Sequence, residues 1–200
     1  MFPDLTRDDV FRIETARHWL RWPRANDVPA FARLASDQDI AKLTLCLPKP
    51  FGTNEAEDFV IGARRANADG RGLVLALAPR NDPSAFVGMV GVQARCNGAD
   101  AARGEADLVL GYWLGKPYWG QGLMQEAIEA VLDVSFMLTD ARIIEAPMRE
   151  GNVAARKVLA RCGFPNPPED APHAMITRDA WLVARAGAAS RIALPLGARN

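Results

Sequence analysis

The sequence is poor in the residues that build metal and disulfide sites. It has three cysteines, Cys46, Cys96 and Cys162, and two histidines in 200 residues. The cysteines are far apart and odd in number, and no pair has the Cys-x-x-Cys spacing of a zinc ligand set. We therefore expect no metal site and no disulfide framework, and free thiols are typical of a reducing cytoplasm.

Neither charge nor hydrophobicity is present in excess. Lys and Arg together number 24, as do Asp and Glu, so the formal net charge is zero. Proteins that coat nucleic acids or membrane surfaces normally carry a basic excess, so we expect neither partner here. No apolar run reaches about 18 residues, the length that spans a bilayer. The first residues lack the basic and apolar regions of a secretion signal, so we expect a cytoplasmic protein.

Length and composition are those of one globular domain. Apolar residues make up 49% of the chain and charged residues 24%, which is an ordinary balance. A chain of this length buries enough surface to fold without cross-links. We expect a single domain over residues 1–184 and a flexible tail rich in Gly, Ala and Arg over residues 185–200.

The apolar patterns alternate between strand and helix types. Apolar runs bounded by turn residues predict strands, whereas apolar residues at i, i+3 and i+4 predict helices. The predicted strands are residues 17–22, 73–78, 85–94, 105–115, 141–148 and 174–184. The predicted helices are residues 26–36, 53–67, 121–136 and 152–162. This order predicts an α/β (α+β) fold with a mixed sheet, in which the fourth and fifth of these strands are parallel because a helix connects them.

The turn before the helix at 121–136 has the composition of an anion site. Gly120 and Gly122 lie between a predicted strand and a helix start. Glycines there let the backbone approach an anion, and the unpaired N–H groups of the helix N-terminus point toward it. Many strand–helix turns contain glycine for turn geometry alone, so this motif leaves both interpretations open. The sequence is neither a P-loop nor a complete dinucleotide-binding fingerprint.

Several ordered motifs together resemble the GNAT superfamily of N-acetyltransferases, in particular the branch that acetylates ribosomal-protein N-termini such as alanine. The similar segments are Pro50-Phe51-Gly52-Thr53 with Phe59, Val87-Gly88-Met89-Val90-Gly91, Gly111-Tyr112-Trp113-Leu114, Trp119-Gly120-Gln121-Gly122, Glu126-Ala127, and the helix from Asn152 to Gly163-Phe164. The resemblance covers about residues 15–183. It implies a bacterial enzyme whose mostly antiparallel sheet has helices on both faces and admits acetyl-CoA at a splayed parallel strand pair.

The resemblance also implies which residues bind acetyl-CoA. The strand backbone would hold the pantetheine arm, the turn amides would hold the diphosphate, and Asn152 would lie near the thioester. The residues so implied are Leu110, Tyr112, Trp113, Leu114, Trp119, Gly120, Gln121, Gly122, Leu123 and Asn152. An ordinary helix N-cap explains Asn152 equally well. Relatives in this family often form homodimers, which leaves a homodimer open.

The chain departs from the family pattern where a proton donor is expected. Ala155 replaces the serine of the branch, and Leu159 stands where other branches have a tyrosine. The Arg or Gln of the superfamily's turn falls on Pro117, which has no N–H to donate. Lys116 beside it would supply positive charge, unless it is an ordinary surface lysine.

Three residues remain as candidates for proton transfer. Tyr112 is a candidate donor to the leaving thiolate, although packing in the core explains a tyrosine as well. Glu105 and Asp107 share one face of a strand, and one of them is the candidate base for the amine. Surface charges at a strand end explain both acids without chemistry.

The sequence therefore predicts an acetyl-CoA-dependent N-acetyltransferase that acts on a primary amine. The acceptor is a protein N-terminal amine, as of a ribosomal protein, or a small amine such as an aminoglycoside or polyamine. A catalytically weak acyl-CoA-binding relic is an alternative, because Ala155 and Leu159 have lost both donors. An unrelated phosphate-binding α/β domain is a third interpretation.

Overall fold

The computed structural model describes residues 1–45, 47–94, 107–166, 168 and 171–186. The strands are β1 (Arg12–Glu14), β2 (His18–Arg21), β3 (Gly72–Pro79), β4 (Gly88–Ala94), β5 (Leu108–Leu114), β6 (Ile143–Pro147) and β7 (His173–Thr177). The helices are α1 (Val28–Ala35), α2 (Gln38–Leu43), α3 (Thr53–Ala68), α4 (Leu123–Leu138), α5 (Val153–Arg161) and α6 (Arg178–Ala186). A 3₁₀ turn at Lys116–Tyr118 precedes α4.

The seven strands form one sheet in which spatial order follows chain order. Every neighbouring pair is antiparallel except β5 and β6, which are parallel and connected through α4. The mixed, mostly antiparallel α/β sheet predicted from the sequence is confirmed, as is its parallel pair.

Strand β3 explains why both faces of the sheet carry helices. Its alternate residues Leu73, Leu75 and Leu77 pack into a core that includes α4 and α5, whereas Val74 and Ala76 pack into a second core with α1 and α3. A strand buried on both faces has an unbroken apolar sequence rather than an alternating one. Residues 73–78 have this pattern, and all six are buried.

The helix starts predicted from the sequence are present, but at α1 and α3 the side chain of the N-cap residue makes no capping hydrogen bond. The N-cap of α3 is Gly52, whose N–H donates to the Glu55 carboxylate at 2.9 Å, so Thr53 is the first helical residue. The carboxylate also opposes the positive end of the helix dipole. Asp27 occupies the N-cap position of α1, but its side chain makes no bond to that helix and instead accepts two hydrogen bonds from the buried Arg21 guanidinium, each 2.8 Å long.

The strand predicted over residues 174–184 is correct only in its first part. The chain leaves the sheet after Thr177 and continues as α6. Trp181 and Arg185, one helical turn apart, both bind the Asp133 carboxylate on α4. This tertiary contact outweighs the strand-like sequence pattern. The sequence analysis also missed β1 and α2, which are only three and six residues long.

Some sequence predictions lie outside the described residues. These are Cys46, Cys96 and residues 187–200 of the tail predicted over 185–200, whereas residues 185 and 186 are part of α6. Cys162 is described, and it is a buried free thiol. No helix among the described residues is long and apolar enough to cross a membrane.

Candidate functional site

Strands β5 and β6 separate after a short contact. Only Leu108 and Val109 of β5 pair with β6, although β5 continues to Leu114 and stays paired with β4 over its whole length. Beyond Val109 the two parallel strands therefore splay, and a gap opens between them.

The edge of β5 presents backbone groups to this gap. Gly115 N–H donates to Val87 O on the β4 side, and hydrogen-bonding direction alternates along a strand. Leu110, Tyr112 and Leu114 therefore direct their N–H and C=O groups toward β6, although Leu114 O already accepts a hydrogen bond from Trp119 Nε1. An extended polar chain lying in the gap could pair with the backbone of Tyr112 as an added strand does.

A cavity of about 370 Å³ occupies the open end of the gap. It is bordered by α2, the end of β5, the turn before α4, the first turn of α4 and one side of α5. Its lining residues are Ile40, Leu43, Thr44, Tyr112, Trp113, Leu114, Tyr118, Trp119, Gly120, Gly122, Leu123, Met124, Gln125, Asn152, Ala154, Ala155, Lys157, Val158 and Arg161. No described lining residue is Asp or Glu, so the site is apolar with a basic side on α5.

The turn before α4 has the geometry of an anion cradle. Gly120 and Gly122 have φ angles of +75° and +72°, in the left-handed region that favours glycine. Gly122 is the N-cap and has no side chain to bind the amides of the first turn. The first intrahelical bond runs from Glu126 N–H to Gly122 O, so the preceding amides have no acceptor within the helix.

The space in front of this turn is open. A Cβ built on Gly120 would meet no atom within 4 Å among the described residues. Helices α2 and α5 differ in this respect, because Asp37 and Asn152 cap their N-termini. The exposed amides of α4 and the positive end of its dipole favour a bound phosphate group.

Tyr112 borders the cavity, but its hydroxyl is buried. The hydroxyl oxygen has no hydrogen-bond partner among the described residues. Burial raises the pKa of Tyr112 above its ordinary value, and the neighbouring Cys162 adds to the effect. The phenol is therefore protonated at neutral pH and has a hydrogen bond left to donate.

Asn152 acts as a cap and also borders the cavity. Its Oδ1 accepts from Ala155 N–H at 3.0 Å, and its Nδ2 donates to Leu43 O at 3.4 Å. Arg149 Nε donates to Thr44 O at 3.1 Å. Together these bonds hold the C-terminal end of α2 against the start of α5, across one side of the cavity.

Lys116 holds the other end of α2. Its Nζ contacts the Asp39 carboxylate at 2.5 Å, and this contact joins the turn before α4 to α2. The hydrogen bond and charge of Asp39 raise the pKa of Lys116, and those of Lys116 lower the pKa of Asp39. Lys116 is therefore paired with Asp39, and it does not line the cavity.

The structure brings most of the predicted ligand-binding residues together, with two exceptions. Leu110 is buried in the core and does not border the cavity, although its backbone faces the gap. Gln121 points its carbonyl to Arg17, and its Nε2 donates to Pro117 O. The remaining predicted residues line the cavity, and their roles in binding stay predictions.

Of the two candidate bases, only Asp107 is described, and it does not line the cavity. Asp107 lies at the opposite end of β5, roughly 16 Å from Tyr112 at the usual rise of a strand. Its carboxylate accepts hydrogen bonds from the amides of Arg142 and Ile143, at 2.6 and 3.1 Å, and so holds the start of β6. Glu105 lies outside the described residues.

The sequence analysis missed two parts of the site. Lys157 and Arg161, one helical turn apart on α5, place two cations at the cavity. Their spacing of four residues is visible in the sequence, but exposed basic residues on helices are too common to predict a ligand site. Ile40 and Leu43 belong to α2, a helix too short to be recognised from its apolar pattern.

Comparison with known proteins identifies the family. Residues 17–165 match the family model of the acetyltransferase (GNAT) domain. The chain belongs to the GNAT acetyltransferase family. It is 24% identical over 152 residues, 76% of this chain and 81% of the relative, to the protein "Uncharacterized N-acetyltransferase p20" of Bacillus licheniformis. The predicted family and its enzyme class, N-acetyltransferase, are confirmed.

Solved structures of this family share the fold. RimJ of Mycobacterium smegmatis, in complex with CoA-disulfide, has a TM-score of 0.64 and 21% identity, covering 91% of this chain and 96% of RimJ. The ribosomal-protein-S5-alanine acetyltransferase of Vibrio fischeri has a TM-score of 0.67 and 17% identity, covering 86% and 98%. At these identities the likeness shows the GNAT fold. No group of three potential metal ligands occurs among the residues that the structure describes.

Proposed function

We propose that this GNAT protein transfers an acetyl group from acetyl-CoA to the α-amine of a protein N-terminus. One relationship carries the proposal: the gap between β5 and β6 opens beside the uncapped N-terminus of α4. A ligand that has both a diphosphate and an extended amide-bearing arm fits this pair of features. Coenzyme A has both, and RimJ of Mycobacterium smegmatis, which shares this fold, is in complex with CoA-disulfide.

The groups on the cavity wall fit the parts of CoA. The amides of Gly122, Leu123 and Met124 would receive the diphosphate, since they have no intrahelical acceptor. The free N–H and C=O groups of Tyr112 would pair with the amides of the pantetheine arm. Lys157 and Arg161 stand on the opposite wall, where they would balance further phosphate charge.

Acetyl transfer then joins the amine nitrogen to the carbonyl carbon and breaks the carbon–sulfur bond. The thiolate that leaves takes up, directly or through water, the proton that the nitrogen loses, so the products are the N-acetyl amide and CoA thiol. Backbone N–H groups at the splay would stabilise the developing oxyanion. Tyr112, protonated and unpaired, would donate a hydrogen bond to the leaving sulfur. A thiolate of pKa near ~8.5 leaves readily with this help, so Ala155 and Leu159 do not prevent catalysis.

The lack of a carboxylate on the described cavity wall favours an α-amine as acceptor. An amine attacks only in its neutral form. At pH 7.5 roughly a third of α-amines are neutral, with pKa values near 7.7–8.0, compared with about one in a thousand lysine-like amines of pKa near 10.4. The described cavity wall offers no base, and such a wall suits the α-amine best. This argument favours a protein N-terminus over a polyamine.

An acceptor screen with detection by mass tests the proposal. Peptides with a free N-terminus and no lysine should be acetylated. Matched peptides with a blocked N-terminus and one lysine should not be, nor should polyamines and aminoglycosides. Turnover of the small amines alone would contradict the proposed acceptor.

Binding measurements separate the remaining alternatives. Tight CoA binding without turnover of any amine would identify a relic. Competition by ATP or NAD as strong as that by CoA would identify an unrelated phosphate-binding domain. The homodimer and the cytoplasmic location stay predictions, and sedimentation of the purified chain measures the first.

A further inference from the structure

Arg17, in the turn between β1 and β2, binds both the glycine turn and helix α4. Its Nε donates to Glu126 Oε2 at 2.7 Å, and its backbone N–H donates to Glu126 Oε1 at 2.8 Å. Its Nη1 donates to Gln121 O at 2.7 Å. Neither Arg17 nor Glu126 lines the cavity, so both act from behind the turn.

The bond to Gln121 determines where the next amide points. In a trans peptide the C=O and the following N–H point in opposite directions. Because Arg17 draws Gln121 O toward itself, the N–H of Gly122 is directed away from Arg17. A Cβ on Gly122 would meet Arg17 Nη2 at 3.7 Å, which places the guanidinium directly behind this residue.

Arg17 also cancels a charge that would oppose an anion. Glu126 lies in the first turn of α4, the turn proposed to receive a diphosphate. Burial alone would raise the pKa of Glu126, but Thr15 and Arg17 outweigh it and hold the pKa below its ordinary value. The carboxylate is therefore ionised at neutral pH. The ion pair with Arg17 removes most of its repulsion of a nearby phosphate.

We propose that Arg17 is a positioning residue for the CoA diphosphate. It turns the Gly122 amide toward the ligand through Gln121, and it neutralises Glu126 behind the site. This inference rests on the proposed function, because it assumes that the diphosphate binds at the N-terminus of α4. It adds a requirement for a residue more than 100 positions away in the sequence, in a turn between two short strands.

The test compares Arg17→Ala with the wild-type chain for three probes: CoA, dephospho-CoA and pantetheine. The first two contain the diphosphate and pantetheine does not. We expect Arg17→Ala to lower the affinities for CoA and for dephospho-CoA equally, by about ten- to a hundredfold. This is the effect of losing one or two charge-assisted hydrogen bonds. The affinity for pantetheine should not change. With acetyl-CoA as substrate, the loss should appear in KM rather than in kcat.

Arg17→Lys keeps the positive charge but cannot bond to Glu126 and Gln121 at once. It should recover only part of the lost affinity, and it serves as the second variant if Arg17→Ala does not fold. Arg65→Ala removes an exposed arginine on α3 and is the matched control, with unchanged affinities. Thermal unfolding without ligand shows whether each variant is folded.

The outcomes distinguish the inference from the proposed function. Equal loss of all three probes, or full recovery of affinity with Arg17→Lys, would overturn the positioning role while CoA binding by the wild type stands. No binding of CoA by the wild-type chain would overturn the proposed function and, with it, this inference.

Discussion

The indole N–H of Trp119 donates a 2.6 Å hydrogen bond to the carbonyl oxygen of Leu114. Leu114 is the last residue of β5, and Trp119 is the residue before Gly120. The bond thus links the end of β5 to the glycine turn across residues 115–118. It holds the two parts of the proposed CoA site at a set distance from each other.

Replacing Trp119 with Phe should weaken acetyl-CoA binding without unfolding the protein. Phenylalanine keeps an aromatic ring, smaller than the indole, and loses the hydrogen bond, which contributes about 0.5–1.5 kcal/mol. We expect a KM for acetyl-CoA about two- to tenfold higher. Steady-state kinetics measure it, with Trp19→Phe on the outer part of the sheet as the control. An equal rise in KM for both variants would contradict the prediction.

Replacing Tyr112 with Phe should lower activity without lowering stability. The hydroxyl is buried and unpaired, so its removal leaves no donor or acceptor unsatisfied and is neutral or stabilising. If it assists the leaving thiolate, kcat should fall about a hundredfold, the lower range for acid–base assistance. Kinetics and urea unfolding of the same preparation test both parts. An unchanged kcat would show that the Tyr112 hydroxyl takes no part in catalysis and that the ring only packs in the core.

Replacing Asp27 with Ala should strongly destabilise the fold. Arg21 and Asp27 form a buried ion pair with exposed fractions of 5% and 1%, and Arg24 N–H also donates to the Asp27 carboxylate. Removing one partner leaves a buried unpaired charge, which costs about 3–5 kcal/mol. Urea unfolding measures this cost. The exposed pair of Arg71 and Asp69 is the comparison, where Asp69→Ala should cost at most about 1 kcal/mol.

His18 should make stability depend on pH in the mildly acidic range. Burial lowers the pKa of His18, and Arg17 adds to this, while Glu126 partly opposes it. In the unfolded chain the imidazole has an ordinary pKa near 6.5. Below that pH the unfolded state takes up a proton that the folded state does not, so stability falls as the pH decreases. One such group contributes at most about 1.4 kcal/mol per pH unit.

Comparison with His18→Gln isolates this contribution from that of other groups. The variant lacks the titrating ring, so the stability difference between it and the wild type should narrow between pH 7 and pH 5. Urea unfolding at the two pH values measures the difference. A constant difference would show that His18 does not titrate differently in the two states.

The elements that bury a regular apolar pattern were predictable from the sequence. The strand at 73–78 and the helices α3, α4 and α5 have such patterns, and Gly163, whose φ of +89° suits glycine, follows the end of α5. Short elements, and elements that follow another without a loop, were not predictable. α2 has only six residues, and α6 begins directly after the last residue of β7. The form of α6 depends on contacts with distant residues such as Asp133.

The local chemistry of the site was determined by the sequence itself. Gly120 and Gly122 permit left-handed backbone angles, and an uncapped helix N-terminus follows them in the chain, so these residues by themselves favour a turn that an anion can approach. The tertiary structure decided what surrounds the cradle. It placed Arg17 behind the turn, α2 across the cavity and Asp107 at the far end of β5. Such placements depend on how strands pair and where they splay, and these are properties of contacts between residues distant in the sequence, which no local pattern records.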